Sequence, residues 1–266
     1  MFEARLIQGQ LFKKILDAVK DLVNEASWDC TPNGMALQAM DTSHVSLVAA
    51  QLKSEAFDKY RCDKNLMLGM NLPNFFKFLK CAGNDDIITI RATDECDKIT
   101  LLFEEKSAVE TSEYELKLIN LDNEYLGIPD QEYHVDIEMP SSKFQRICRD
   151  LNQIGDNVTI SCVKDSVRFS ISGDLGSGSV NLSQSQDADK QDEGVSIKMA
   201  EPICLSFSLK YLIQFSKAAP LSPRMKLSLK TDAPLVVSYG IRNEADDEVG
   251  YLRYYLAPKM DDGDAM

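Results

Sequence analysis

The chain has 266 residues, 44% hydrophobic and 27% charged, with a formal charge of −13. This is enough for two compact domains, or one large one, of ordinary globular composition. The sequence has no apolar run of membrane-spanning length, no CxxC pair and no overall basic character, so a membrane protein, a zinc ribbon and a conventional DNA-binding domain are all disfavoured. The seven cysteines, scattered at 30, 62, 81, 96, 148, 162 and 204, read as reduced thiols of an intracellular protein. The opening Met1-Phe2-Glu3-Ala4-Arg5 reads directly into a folded element, with no signal peptide.

In chain order, Leu11 to Glu25 carries apolar residues at 11, 12, 15, 16, 19, 22 and 23, which predicts a helix with one buried face. Period-two alternation follows from Met35 to Met40. A second helix is predicted from Pro73 to just before Gly83, with Phe75, Phe76, Phe78 and Leu79 as its apolar content. Ile87 to Ile90 reads as a strand. Residues 118 to 134 are turn-rich and read as a connector. A third helix is expected from Ser141, as N-cap, to Ile154, burying Phe144, Ile147, Cys148 and Leu151. Strands follow at Val158 to Cys162 and Val167 to Ser172, then a polar loop from Ser183 to Gly194. The fourth helix runs from Leu209 to Ala219, closed by Pro220. Strands at Met225 to Leu229 and Leu235 to Tyr239, a polar loop from Arg242 to Gly250 and an acidic, disordered tail complete the chain.

Each helix carries a basic pair at a spacing of three or seven, which places both members on one side: Lys13 and Lys20, Lys77 and Lys80, Arg146 and Arg149, Lys210 and Lys217. Any one pair alone is an ordinary solvated face. Fourfold recurrence in an acidic chain implies a surface that surrounds a polyanion without gripping it, and Asp17, Asp21 and Asp150 dilute the charge further. A shift of 133 residues (146 − 13 and 210 − 77) carries Lys13 onto Arg146 and Lys77 onto Lys210, which implies two tandem similar domains. The expected fold is α+β, with helices gathered on one side of sheets. The expected boundaries are 1–117, a connector at 118–134, 135–260, and a tail at 261–266.

An enzyme is the competing class. The chain has two histidines, His44 and His134, no Gly-rich phosphate loop and no spaced metal ligands, so neither a catalytic residue nor a cofactor or metal is assigned. A monomeric β-rich adaptor is the third class, and it leaves the four basic pairs without a reason.

Longer segments resemble a known family. Gly34-Met35-Ala36-Leu37-Gln38-Ala39-Met40-Asp41-Thr42-Ser43-His44-Val45-Ser46-Leu47 closely resembles a signature of proliferating cell nuclear antigen, the eukaryotic DNA sliding clamp. So do Arg61-Cys62-Asp63-Lys64-Asn65-Leu66, Leu126-Gly127-Ile128-Pro129, Ile147-Cys148-Arg149-Asp150-Leu151 and Tyr254-Tyr255-Leu256-Ala257-Pro258-Lys259. The resemblance covers essentially the whole chain.

It implies a homotrimeric ring in the nucleus, helices inside and sheets outside, encircling duplex DNA without reading sequence. Lys13, Lys14, Lys20, Lys77, Lys80, Arg146, Arg149, Lys210 and Lys217 would face DNA. The ring would be a non-catalytic processivity factor loaded by replication factor C, docking the PIP-box segments of replicative polymerase, flap endonuclease and DNA ligase. The docking pocket implied comprises Met40, His44, Val45, Leu47, Leu126, Ile128, Pro234, Tyr255, Ala257, Pro258 and Met260. Read alone, the first four are ordinary strand and turn residues. The implied subunit interface includes Lys77, Cys81, Tyr114, Arg146, Cys148, Leu151, Ile154, Leu175 and Val180, where pairing removes an exposed strand edge. Lys164, by itself a solvent-exposed hairpin lysine, is implied as an acceptor of ubiquitin or SUMO that recruits damage-tolerant polymerases. Departures from familiar relatives are Glu110 in place of Lys, Gln153 in place of His, and a longer, more acidic 242–250 loop.

Overall fold

The computed structural model describes all residues except 94–96, 108, 122–125, 129–130, 185–193, 244 and 260–266. Cys96, Met260, the acidic tail and most of the 183–194 loop therefore lie outside the described residues. The first half of the chain runs β1 (Phe2–Leu6), α1 (Gly9–Val19), β2 (Glu25–Thr31), β3 (Gly34–Met40), β4 (Ser46–Lys53), β5 (Lys59–Cys62), β6 (Leu66–Asn71), α2 (Leu72–Leu79), β7 (Ile87–Ala92), β8 (Lys98–Glu104) and β9 (Thr111–Lys117). The second half repeats that order: β10 (Val135–Pro140), α3 (Ser141–Leu151), β11 (Asn157–Val163), β12 (Ser166–Gly173), β13 (Gly176–Ser183), β14 (Ser196–Met199), β15 (Ile203–Ser208), α4 (Leu209–Ser216), β16 (Arg224–Leu229), β17 (Leu235–Arg242) and β18 (Glu248–Leu256). The fold is mixed α and β, with few helices and many strands.

The strand order repeats as well. In the first half it is β5-β1-β7-β8-β9 and β4-β3-β2-β6; in the second it is β14-β10-β16-β17-β18 and β13-β12-β11-β15. Phe2 pairs antiparallel opposite Ala92 in the first half and Val135 opposite Leu229 in the second. Residues 1–42, 48–127 and 241–252 form one compact unit; 43–47, 128–240 and the residues from 253 form the other. In the first unit β18 approaches β4 so closely that a side chain at Gly250 would run into the Gln51 carbonyl. In the second unit the Ala257 amide donates to the Val45 carbonyl at 3.1 Å.

Buried faces fix the true repeat. Phe12, Ile15, Leu16 and Val19 of α1 correspond to Phe144, Ile147, Cys148 and Leu151 of α3, an offset of 132 (144 − 12). Leu72, Phe75 and Leu79 of α2 correspond to Leu209, Leu212 and Ser216 of α4, an offset of 137 (209 − 72). The single shift of 133 is thereby corrected. It misregisters the second helix pair because the second half carries extra residues between β12 and β14. With the structural offsets, Lys14 falls on Arg146, Lys13 on Gln145 and Lys80 on Lys217.

Several boundaries differ from the sequence expectation; α2, α3 and α4 end at Leu79, Leu151 and Ser216, short of the expected Ala82, Ile154 and Ala219. Helix α1 stops at Val19 rather than Glu25: the Leu22 and Val23 amides fold back onto the Val19 carbonyl, and Glu25 already begins β2. Ser141 is not the N-cap. Pro140 holds that place, while the Ser141 amide is taken by the Pro223 carbonyl at 2.9 Å and its hydroxyl makes no cap bond. The polar stretch from Arg242 to Gly250 is strand at both ends, with the loop confined to 243–247 between β17 and β18. Asn243 closes that turn, its Oδ1 accepting from the Ala245 and Asp247 amides at 3.0 and 2.9 Å.

Candidate nucleic-acid interface

In the first repeat the core brings the two helices together through Phe12, whose ring lies 5.7 Å from that of Phe75 and 5.3 Å from that of Trp28. Helix α2 begins where the Asn71 side chain accepts from the Asn74 amide at 3.0 Å, with Pro73 in the first turn. The cations then divide by what they touch. Lys13 is half-buried and its ammonium donates to the Ala82 and Gly83 carbonyls beyond the end of α2. Burial pushes its pKa below the ordinary lysine value, against Asp86 and Cys81, which act to raise it. Lys14 is half-buried on α1. Lys20 meets Asp17 at 2.8 Å and Asp21 at 3.3 Å. Lys77 is exposed and donates to Asn74 Oδ1 at 3.2 Å. Lys80 is exposed at the C-cap of α2.

In the second repeat Gln145 stands where Lys13 does and performs the same service, its Nε2 donating to the Ser216 carbonyl at 3.0 Å. Arg146 and Arg149 are exposed on α3 and share Asp150, at 3.3 and 3.7 Å. Lys210 is exposed in the first turn of α4, 5.9 Å from the Tyr211 ring. Lys217 is half-buried at the C-cap of α4. Each repeat therefore packs its two cation-bearing helices against one another.

Two of the predicted interface residues, Tyr114 and Val180, fall on end strands, and the others lie on or just beyond α2 and α3 or in the β12–β13 turn. Tyr114 lies on β9, which ends its sheet, with its ring 6.2 Å from Phe78 of α2 and 5.4 Å from Phe103. Strand β13 ends the other sheet and carries Val180, half-buried. Leu175, at the β12–β13 turn, is 88% exposed. Cys148 and Leu151 are buried in α3, and burial pushes the Cys148 thiol well above its ordinary pKa. Ile154 lies just past α3, close enough that a Cβ at Gly178 would meet its Cδ1 at 2.9 Å. Cys81 is exposed after α2, its thiol 3.7 Å from the Lys77 carbonyl. Glu110 and Gln153 are exposed.

Within the first unit, Gln38 holds the connector by a reciprocal pair of bonds, donating to the Leu126 carbonyl at 2.7 Å and accepting from its amide at 3.2 Å, two residues before Met40. Within the second, His44 adopts a left-handed backbone (φ 57°) and Ser43 bonds the Tyr211 hydroxyl at 2.6 Å. Val45, Pro234 and Ala257 are exposed there; Leu47, Ile128, Tyr255 and Pro258 are half-buried. Lys259 is held to the Ser206 carbonyl at 2.8 Å. Lys164 occupies the two-residue turn between β11 and β12 with φ 52°. Among the described residues, no group of three His, Cys, Asp or Glu side chains is placed to hold a metal.

The sequence reading missed Gln145 and Phe76. Gln145 is uncharged and the 133-residue shift puts Arg146 opposite Lys13, so only the structural offset of 132 pairs Gln145 with Lys13. Phe76 reads in the sequence as apolar content of α2, yet Phe75 and Leu79 are buried while Phe76 remains half-buried.

Together these features define a tandem-repeat α+β protein with cation-bearing helix pairs and two matched end strands. A family model for the N-terminal domain of proliferating cell nuclear antigen matches residues 1–125, and one for its C-terminal domain matches residues 127–259. The chain belongs to the proliferating cell nuclear antigen family, the non-catalytic DNA sliding clamps.

Proposed function

We propose that three copies of this chain close head to tail into a ring around duplex DNA, acting as a nuclear processivity factor and docking platform. The observation that carries this reading is the repeat of the strand edges. Within one chain β18 lies beside β4. Their repeat counterparts, β9 and β13, each end a sheet. Joining β9 of one copy to β13 of the next reproduces the internal joint, removes both open edges and propagates as a heterologous contact. Three such chains would supply six similar repeats and twelve helices. Their cations would meet phosphates across water, giving weak, salt-sensitive attraction that leaves the ring free to slide.

The client pocket is assigned to Met40, His44, Val45, Leu47, Leu126, Ile128, Pro234, Tyr255, Ala257, Pro258 and Met260. Its mixture of Met, Leu and Pro suits PIP-box segments of several clients, including replicative polymerase, flap endonuclease and DNA ligase. Replication factor C is assigned as loader and Lys164 as the ubiquitin or SUMO acceptor. Lys164 is exposed in its left-handed turn, which supports access by a modifying enzyme. The test is mass in solution. The wild type should sediment as a trimer at low micromolar concentration, and Tyr114→Ala should shift it toward monomer. An undiminished trimer in that variant would remove the β9 edge from the interface.

A further inference from the structure

Helices α1 and α2 both end on the ring of Phe76. Lys20 is the C-cap of α1 and Lys80 the C-cap of α2. Their ammonium nitrogens lie 4.8 and 4.9 Å from the centroid of the Phe76 ring. Both distances fall within the roughly 6 Å reach of cation–π attraction. Phe76 and Lys80 are four residues apart, on one helix face, whereas Lys20 arrives from the neighbouring helix. The Lys20 side chain is only 18% exposed. Burial there works to lower its pKa, but Asp17 and Asp21 outweigh it and the ammonium stays charged. Two cations are thus gathered where two helix C-termini already favour positive charge. At the repeat offsets the second half has Ile213 in place of Phe76 and Asn152 in place of Lys20, so the arrangement belongs to the first repeat alone.

We infer that Phe76 is a positioning residue for contact with the phosphodiester backbone. It holds the Lys20 and Lys80 ammonium groups in place before DNA arrives. Long lysine side chains lose rotamer freedom when a phosphate fixes them, and a ring that has already restricted them lessens that loss. The first repeat would then offer a preformed phosphate contact, and the second a looser one. This inference rests on the DNA-facing reading of the helices.

The experiment compares full-length wild type, Phe76→Leu, Phe76→Trp and Lys20→Ala/Lys80→Ala for binding a short linear duplex over a series of salt concentrations. Phe76→Leu should weaken low-salt binding about two- to fivefold, the range expected from losing a partly exposed cation–π contact. Phe76→Trp should restore it. The Leu substitution should have no further effect once both lysines are gone. Lysine ε-methylene resonances, shifted upfield by the ring in wild type, should relax in Phe76→Leu alone among the Phe76 variants. Should Phe76→Leu fail to fold, Phe76→Met takes its place. Wild-type binding by Phe76→Leu, with weakened binding by the lysine variant, would overturn the role of Phe76 and leave the DNA-facing reading intact. Wild-type binding by the lysine variant would overturn both. Equal loss from Phe76→Leu with and without the lysines would make the effect structural and also overturn the inference.

Discussion

The two repeats hold equivalent helix pairs together with different chemistry. In the first, an ammonium, Lys13, reaches from α1 to the carbonyls beyond α2; in the second, a neutral amide, Gln145, reaches from α3 to the carbonyl of Ser216. In the first, two lysines meet over an aromatic ring; in the second, two arginines share the carboxylate of Asp150. A basic residue at a helical spacing can therefore face a carbonyl, a ring or a carboxylate. Spacing alone does not distinguish them. The fold conserves the clamp between helices, while the charge that performs it is free to change.

The largest test of this comparison removes the clamp itself. Lys13→Ala deletes a charged donor to two carbonyls and should lower unfolding free energy by about 2 kcal/mol; Gln145→Ala deletes one neutral bond and should cost about 1 kcal/mol. Urea denaturation of both variants measures the difference. Equal losses would show that the charge on Lys13 adds nothing to its structural role. Lys13→Gln, which imports the second repeat's solution, should recover part of the loss.

Much of the architecture was legible because apolar period and end signals are local. The start of α2 follows from Pro73, and the strands at 158–162 and 225–229 follow from alternation. The misplaced end of α1 has a physical cause. Leu22 and Val23 continue the helical apolar period, but they belong to a turn whose amides close on Val19. The helices followed from apolar periodicity, whereas the offset was obscured by the added length before β14. Which cations meet rings or carbonyls was not legible, because Phe76 and Lys20, or Lys13 and Ala82, become neighbours only when two helices are packed.

A smaller effect is expected where the first strand of each repeat carries a carboxylate. Glu3 on β1 is 6% exposed and meets Lys59 at 2.7 Å and Arg91 at 3.1 Å. At the corresponding place on β10, Asp136 meets Lys226 at 2.8 Å and the Ser228 hydroxyl at 2.5 Å. The hydrogen bond from Lys59 lowers the Glu3 pKa, against the opposing effect of burial, and Arg91 adds to the lowering. A depressed carboxyl pKa stabilises the fold above the ordinary glutamate range, and that contribution vanishes as pH falls through the depressed value. Glu3→Gln should therefore cost about 1 kcal/mol near neutral pH, tempered by the water around Lys59 and Arg91, and match wild type in acid. A loss of the same size at both pH values would mean that shape, not charge, is what Glu3 supplies.

The smallest expected effect bears most directly on the second repeat. Asp150 lies 3.3 Å from Arg146 and 3.7 Å from Arg149, and all three side chains are largely exposed. In water such pairs contribute little to stability, so Asp150→Asn should leave the unfolding midpoint nearly unchanged. Its effect should appear instead in duplex binding. With the carboxylate neutralised, both guanidinium groups lose their local competitor, and low-salt affinity should rise about two- to threefold with a steeper salt dependence. The sedimentation profile has to be recorded alongside, because α3 also adjoins the β13 edge through Ile154 and Gly178. If affinity is unchanged while the oligomer is intact, Asp150 does not moderate the arginines, and the looser hold ascribed to the second repeat would have to come from its missing aromatic ring alone.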